Sequence, residues 1–199
     1  MIAIVDYGMG NLRSVQKAFQ RVGYEAEITA SPQRVLDASH VALPGVGAFG
    51  EAMANLERAG MVDVLRRVAA DRPFIGICLG QQLLFEESEE MGRHEGLGIL
   101  AGKVARFSGP LKVPHMGWNQ ISIVRPSPLL AGVNEGDFAY FVHSYYVAPV
   151  DSSLILTRTD YGVSFASIVG RDRLFGIQFH PEKSQAVGLR MLANFAAMT

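Results

Sequence analysis

The chain has few cysteines, little net charge and no long apolar runs. A single cysteine, Cys78, stands among 199 residues. That rules out an internal disulfide and any metal site built from several thiolates, and it suits a reducing compartment, so a cytoplasmic location is expected. Lys and Arg number 18 against 19 Asp and Glu, for a formal net charge of -1. Such a balance gives no electrostatic reason to bind nucleic acid or an anionic membrane. No apolar stretch approaches the ~20 residues of a membrane-spanning helix. Met1-Ile2-Ala3-Ile4-Val5-Asp6 has no basic leader and meets an acid at once, which reads as a first strand and not a signal peptide. Internal repeats and linkers rich in Pro, Gly or Ser are also missing, so residues 1–199 read as one domain.

What is present is an alternation of strand and helix signals. Ile2 to Val5 reads as a strand, followed by a glycine-rich turn and a helix with Asn11 at its N-cap. Leu12, Val15, Ala18, Phe19 and Val22 share one face of that helix, and Gly23 closes it. Glu25 to Ile28 predicts a second strand, Ser31-Pro32 a brief helix, and Val41-Ala42-Leu43 a third strand running into Pro44-Gly45-Val46-Gly47. One or two helices are expected between residues 49 and 71. Beyond residue 98 the strand signals dominate: 99–107, 119–124, 138–142, 154–159, 164–169 and 174–179. A last helix is expected from a Ser184 cap. The expected fold class is therefore α/β, a three-layer doubly wound mixed sheet with a more antiparallel C-terminal half.

Cys78 lies in Gly76-Ile77-Cys78-Leu79-Gly80, after an apolar strand and before a helical pattern. A lone cysteine is most often a small buried hydrophobe. Here, though, the frame is the Cys counterpart of the G-x-S-x-G nucleophile elbow, in which flanking glycines let a strand and a helix pass closely and leave the middle side chain at a helix N-terminus. That setting favours a thiolate and aims backbone N–H groups at a developing oxyanion. A thiol nucleophile needs a base, and the base needs an acceptor on its second ring nitrogen. Phe179-His180-Pro181-Glu182 supplies both, with the strand expected to end at His180 and Pro181 halting the ladder. Taken alone, His180 also reads as an ordinary strand-end histidine. The Gly45-Val46-Gly47 loop offers a further N–H donor beside that of Leu79, or else a simple turn. Gly8-Met9-Gly10 lacks the third glycine of a dinucleotide fingerprint, since Arg13 occupies that place.

Together these motifs resemble the class I, triad-type glutamine amidotransferases over essentially the whole chain. Gly76 to Gln82 is similar to the family's G-x-C-x-G-x-Q, and Gly176 to Glu182 to its G-x-Q-F-H-P-E. Within the class, four further segments resemble the glutaminase subunits of imidazole glycerol phosphate synthases, the ammonia suppliers of histidine biosynthesis. They are Ile4 to Leu12, Leu43 to Phe49, Pro114 to Asn119 and Phe141 to Tyr146. Gln81 departs from the methionine frequent at that place. The resemblance implies that Cys78, His180 and Glu182 hydrolyse L-glutamine through a thioester. It implies that Leu79 and the Gly45-Val46-Gly47 loop hold the oxyanion, and that Gln82, His143, Ser144 and Tyr145 bind the substrate. No cofactor and no metal is implied. The implied partner is a (β/α)8-barrel cyclase in a heterodimer, with Asn11, Pro114, Met116, Gly117, Trp118, Asn119 and Lys183 at the interface. The composition of 114–119 also admits a core strand, with Trp118 buried. Open alternatives are a glutaminase for another synthase (anthranilate, guanylate or pyridoxal phosphate), a non-enzymatic regulator on the same scaffold, and an esterase-like cysteine hydrolase.

Overall fold

The computed structural model describes residues 1–199. Its first half is built of strand–helix units: β1 Ile2–Val5, α1 Leu12–Arg21, β2 Ala26–Thr29, α2 Pro32–Asp37, β3 His40–Gly45, α3 Phe49–Arg58, α4 Val62–Asp71, β4 Phe74–Cys78 and α5 Leu79–Leu83. Short strands follow: β5 Phe85–Ser88, β6 His94–Glu95, β7 Leu100–Arg106, β8 His115–Gln120, β9 Ser122–Ile123, β10 Phe138–His143 and β11 Tyr145–Pro149. The chain ends with β12 Ile155–Asp160, β13 Ser164–Arg171, β14 Leu174–Ile177, a 3₁₀ turn at Pro181–Lys183 and α6 Gln185–Ala196.

Eight strands form the main sheet in the order β2-β1-β3-β4-β14-β13-β12-β9. Pairing is parallel from β2 to β14 and antiparallel from β14 onward. The central strands β1, β3, β4 and β14 are apolar and buried apart from His40 at the start of β3, as a sheet covered on both faces demands. Phe19, Ile75, Leu192 and Phe195 fill one side, under α1 and α6. Leu43, Phe49, Leu56, Leu65 and Leu83 fill the other, under α3 to α5. The expected three-layer mixed sheet is present.

Several local expectations change. The 119–124 strand is two strands in two sheets: β8 pairs with β10, and β9 with β12. Strands β5, β6 and β11 were not foreseen; with β7 they make a third sheet. The helix after Cys78 is only five residues long. β14 stops at Ile177, before His180, because the chain makes one last bond to β13 and then leaves the sheet for β10. Gln178 N–H goes to the Ser167 carbonyl (2.9 Å) and His180 N–H to the Tyr140 carbonyl (3.0 Å). Asn11 and Ser184 sit at helix starts, but neither side chain caps its helix. The Ser184 hydroxyl instead donates to the His180 carbonyl (2.7 Å) and accepts the Tyr140 N–H (3.0 Å), which pins the His180 loop to β10.

Candidate active site

β3, β4 and β14 are adjacent and parallel, so the loops leaving their C-terminal ends converge. Open α/β sheets bind ligands at that edge. The loop after β3 carries Val46 and Gly47, β4 ends in Cys78, and the segment after β14 carries His180.

Cys78 adopts φ 56° and ψ -111°, a conformation strained for a residue with a β-carbon. The strain is held by close packing on both sides. A side chain on Gly80 would overlap the Leu43 carbonyl, and one on Gly76 would overlap the Gly80 carbonyl. Gly45 is equally confined, by the Tyr7 hydroxyl and, at 3.0 Å, by Leu79 Cβ. Only glycine lets these backbones approach.

A cavity of about 410 Å³ opens here. Cys78, Leu79, Gln82, His143, Ser144, Tyr145 and His180 line it, with Val46, Gly47, Pro114 and Lys183 at its wall. His180 and Cys78 are buried, at 3% and 7% exposure. His180 Nδ1 lies 2.9 Å from Glu182 Oε1. Its Nε2 has no partner within the chain and shares the cavity with the sulfur. Burial by itself disfavours the imidazolium. The Cys78 sulfur and the Glu182 carboxylate outweigh it and raise His180 to about 10. The arrangement brings together a thiol, an imidazole and a carboxylate, the groups that nucleophile, base and orienter chemistry requires. No intramolecular hydrogen bond engages the N–H of Val46 or Gly47. Gly45 is buried at the end of β3.

Four further residues escaped the sequence reading. Glu90 lines the cavity and accepts the Phe49 N–H at 2.7 Å. The Tyr7 hydroxyl donates to the Pro44 carbonyl at 3.1 Å, and burial together with Cys78 pushes its phenol upward, so it stays a donor. Gln178 is fully buried and places Nε2 3.9 Å from the Cys78 sulfur. His115, given no role of its own within the Pro114 to Asn119 segment, touches His143.

The expected interface residues lie on one surface region only in part. Met116 and Trp118 are exposed on β8, at 63% and 47%, beside Phe138 of β10 at 52%. Trp118 is therefore not a core residue. Asn11 and Lys183 are exposed, Lys183 reaching over the Tyr140 ring at 5.9 Å. Gly117 is half-buried, Pro114 belongs to the cavity, and Asn119 turns inward to bond the Asp160 carbonyl.

The family model "Glutamine amidotransferase class-I" matches residues 3–198. The chain belongs to the class I glutamine amidotransferases. It is 56% identical to the imidazole glycerol phosphate synthase subunit HisH of Syntrophotalea carbinolica, covering 100% of both chains. It is 53% identical to the subunit of the same name from Geobacter sulfurreducens, covering 99% of this chain and 98% of that one. The Aquifex aeolicus subunit is also 53% identical, over 96% and 94%. Among solved structures, one described as a glutamine amidotransferase superposes with TM-score 0.78 at 18% identity, covering 100% of both chains. PurLQS from Thermotoga maritima gives 0.75 at 17% identity, over 96% and 94%. At those identities the structural likeness speaks for the amidotransferase fold.

Proposed function

We propose that this chain is the glutaminase subunit of an imidazole glycerol phosphate synthase. The observation that carries the chemistry is His180: one ring nitrogen is on Glu182, and the other, without a partner, shares the cavity with Cys78. The identity of 56% over the whole length to a subunit of that synthase supports the choice of pathway.

The Cys78 thiolate attacks the side-chain carbonyl carbon of glutamine, and the carbonyl oxygen becomes an oxyanion. The Leu79 N–H at the helix start and an N–H of the Val46–Gly47 loop stabilise it. Protonated His180 gives its proton to the leaving nitrogen, the C–N bond breaks, and ammonia departs from a thioester. Neutral His180 then takes a proton from water, whose oxygen attacks the thioester carbonyl; glutamate leaves and the thiol is restored. Gln82, His143, Ser144 and Tyr145 wall the substrate, and the Glu90 carboxylate suits its α-ammonium group.

Free ammonia would be protonated in water and lost, so the acceptor enzyme must cover the site. The exposed apolar strip of Met116, Trp118 and Phe138 suits such docking. The partner is a cyclase subunit with a (β/α)8 barrel, and the pair works in the cytoplasm. The chain would hydrolyse glutamine slowly alone and faster with the cyclase and its ligand, as the 45–47 loop turns a donor toward the oxyanion. The test is glutamate release from glutamine, with and without the cyclase. Cys78→Ala must abolish it; retained turnover, or stimulation by a different synthase instead of the cyclase, would reject the reading.

A further inference from the structure

A chain of hydrogen bonds runs from the docking strand β8 to the nucleophile, and two buried histidines form its middle. Asn119 Nδ2 donates to the Asp160 carbonyl (2.9 Å) and lies 3.2 Å from His115 Nε2. Asn119 Oδ1 accepts the Gln120 N–H at 2.8 Å. His115 Nδ1 and His143 Nε2 are 3.0 Å apart, and His143 Nδ1 is 2.7 Å from the Tyr145 carbonyl oxygen. Gln82 Nε2 donates to that same carbonyl (3.1 Å) and to Gln178 Oε1 (3.1 Å). Gln178 Nε2 then faces the Cys78 sulfur.

The protons in this chain have one consistent order. A carbonyl oxygen only accepts. The Tyr145 carbonyl therefore fixes the His143 proton on Nδ1 and leaves Nε2 as an acceptor. His115 must then donate from Nδ1 and accept at Nε2. Asn119 can supply that bond, because the Asp160 carbonyl and the Gln120 N–H already fix which end of its amide is which. Both rings are neutral in this order: an extra proton on His143 Nε2 would face the His115 N–H at the 3.0 Å contact, and one on His115 Nε2 would face the Asn119 N–H at 3.2 Å. The surroundings favour neutrality as well. His115 is stacked between Phe141 (4.9 Å) and Tyr161 (4.1 Å), and burial lowers His115 to about 4 and His143 to about 3. Downstream, a flipped Gln82 would press its oxygen against two carbonyls. A flipped Gln178 would turn its oxygen to the sulfur and oppose the thiolate.

We infer that His115 is a positioning residue: it fixes the tautomer of His143 and, through the Tyr145 carbonyl and Gln82, holds the Gln178 amide N–H toward Cys78. It thereby ties the strand offered for docking to the reacting sulfur. The inference rests on the glutamine-hydrolysing reading of the site for its consequence, but not for its geometry.

Two variants of the full chain separate positioning from packing. His115→Phe keeps a stacked ring and removes both bonds. His115→Gln keeps an acceptor for Asn119 and a donor for His143. With the cyclase bound, glutamine turnover should fall about tenfold in His115→Phe and return to within about threefold of wild type in His115→Gln, a size typical of couplings carried by such networks. Alkylation of Cys78 by iodoacetamide in the free chain should follow the same order. Nitrogen-15 spectra of the wild type should show both imidazole protons on Nδ1. Wild-type reactivity in His115→Phe, an equal loss in both variants, or an Nε2–H tautomer at either ring would overturn the proposal. The tautomer measurement decides even if His115→Phe does not fold. A wild-type complex that releases no glutamate would instead sink the functional reading, while alkylation and tautomers still judge the positioning role.

Discussion

Gly80 lies so close to the carbonyl oxygen of Leu43 that no side chain fits between them. The obstructing atom is backbone in a central strand, so it cannot rotate away. Gly80→Ala should therefore cost ~3 kcal/mol or more, at the upper end of overpacking effects. Gly23 is the control: its φ is +91°, but nothing lies within 4 Å of an added methyl. Alanine there should cost only the ~1–2 kcal/mol of a left-handed residue. Urea denaturation of both variants checks this, and equal costs would contradict the packing of the elbow.

Cys78 and Glu182 together raise His180 above its ordinary range. A histidine whose folded pKa is raised adds stability in full below its unfolded value near 6.5. That stability is lost as pH rises through the folded value, here about 10. Glu182→Gln removes one of the two groups that outweigh burial. The His180 titration should move down from about 10, and the loss of stability on raising pH, still beginning near 6.5, should be smaller and end earlier. Glutamine turnover should fall roughly 10²-fold or more, as when a general base loses its orienting partner. An NMR titration of His180 in the variant measures the shift; a value unmoved from that of the wild type would show that the carboxylate is not the cause.

The elbow and the His180–Glu182 contact were legible because each is written in neighbouring residues. Gly76 to Gly80 encodes its own sharp turn, and His180 and Glu182 lie two apart, so local chemistry suffices. The mixed, doubly wound sheet followed from alternating strands and helices. The His115–His143 contact was not legible: it joins β8 and β10 across 28 positions, and no spacing rule links them. Strand β5, Phe85-Glu86-Glu87-Ser88, carries two acids where a strand reading expects apolar alternation. The end of β14 was misplaced because Pro181 looked like the stop, whereas the His180 amide had already left the sheet for Tyr140 of β10.

Gln81 is fully buried beside Gly176. Its Nε2 makes a long bond to the Gly176 carbonyl (3.3 Å), while its Oε1 has no partner. A buried unsatisfied acceptor costs about 1–3 kcal/mol, more than one weak bond returns. Gln81→Met fills a similar volume without the oxygen, and it should stabilise the fold by about 1 kcal/mol. Glutamine turnover should stay within about twofold, since Gln81 does not line the cavity. A lower urea midpoint in the variant would show that the oxygen is satisfied after all.

The buried histidine pair makes an acid-sensitive joint. His115 and His143 are both lowered by burial, to about 4 and about 3. Below pH 6.5 the unfolded chain takes up protons that the folded chain refuses. Stability is therefore whole above that pH and falls as pH drops toward 4 and 3, by up to roughly 1.4 kcal/mol per pH unit for each ring. Melting temperatures between pH 7 and 4 should decline less steeply in His115→Gln than in wild type. Parallel curves would place the acid sensitivity elsewhere.

Trp118 offers the cleanest test of the docking strip, because it contributes little to the fold of the free chain. It is 47% exposed, and Tyr140, directly opposite on β10, meets its ring edge-on at 5.9 Å. Tryptophan is among the residue types enriched at interface hot spots, where truncation costs about 2 kcal/mol or more. Trp118→Ala should thus weaken binding of the cyclase by roughly 30-fold or more. The melting temperature of the isolated chain should hardly move, since few buried contacts are lost. Calorimetric titration measures the first and thermal unfolding the second. If the variant binds the cyclase as tightly as wild type, the partner covers the cavity from another face, and the β8–β10 strip requires a different occupant.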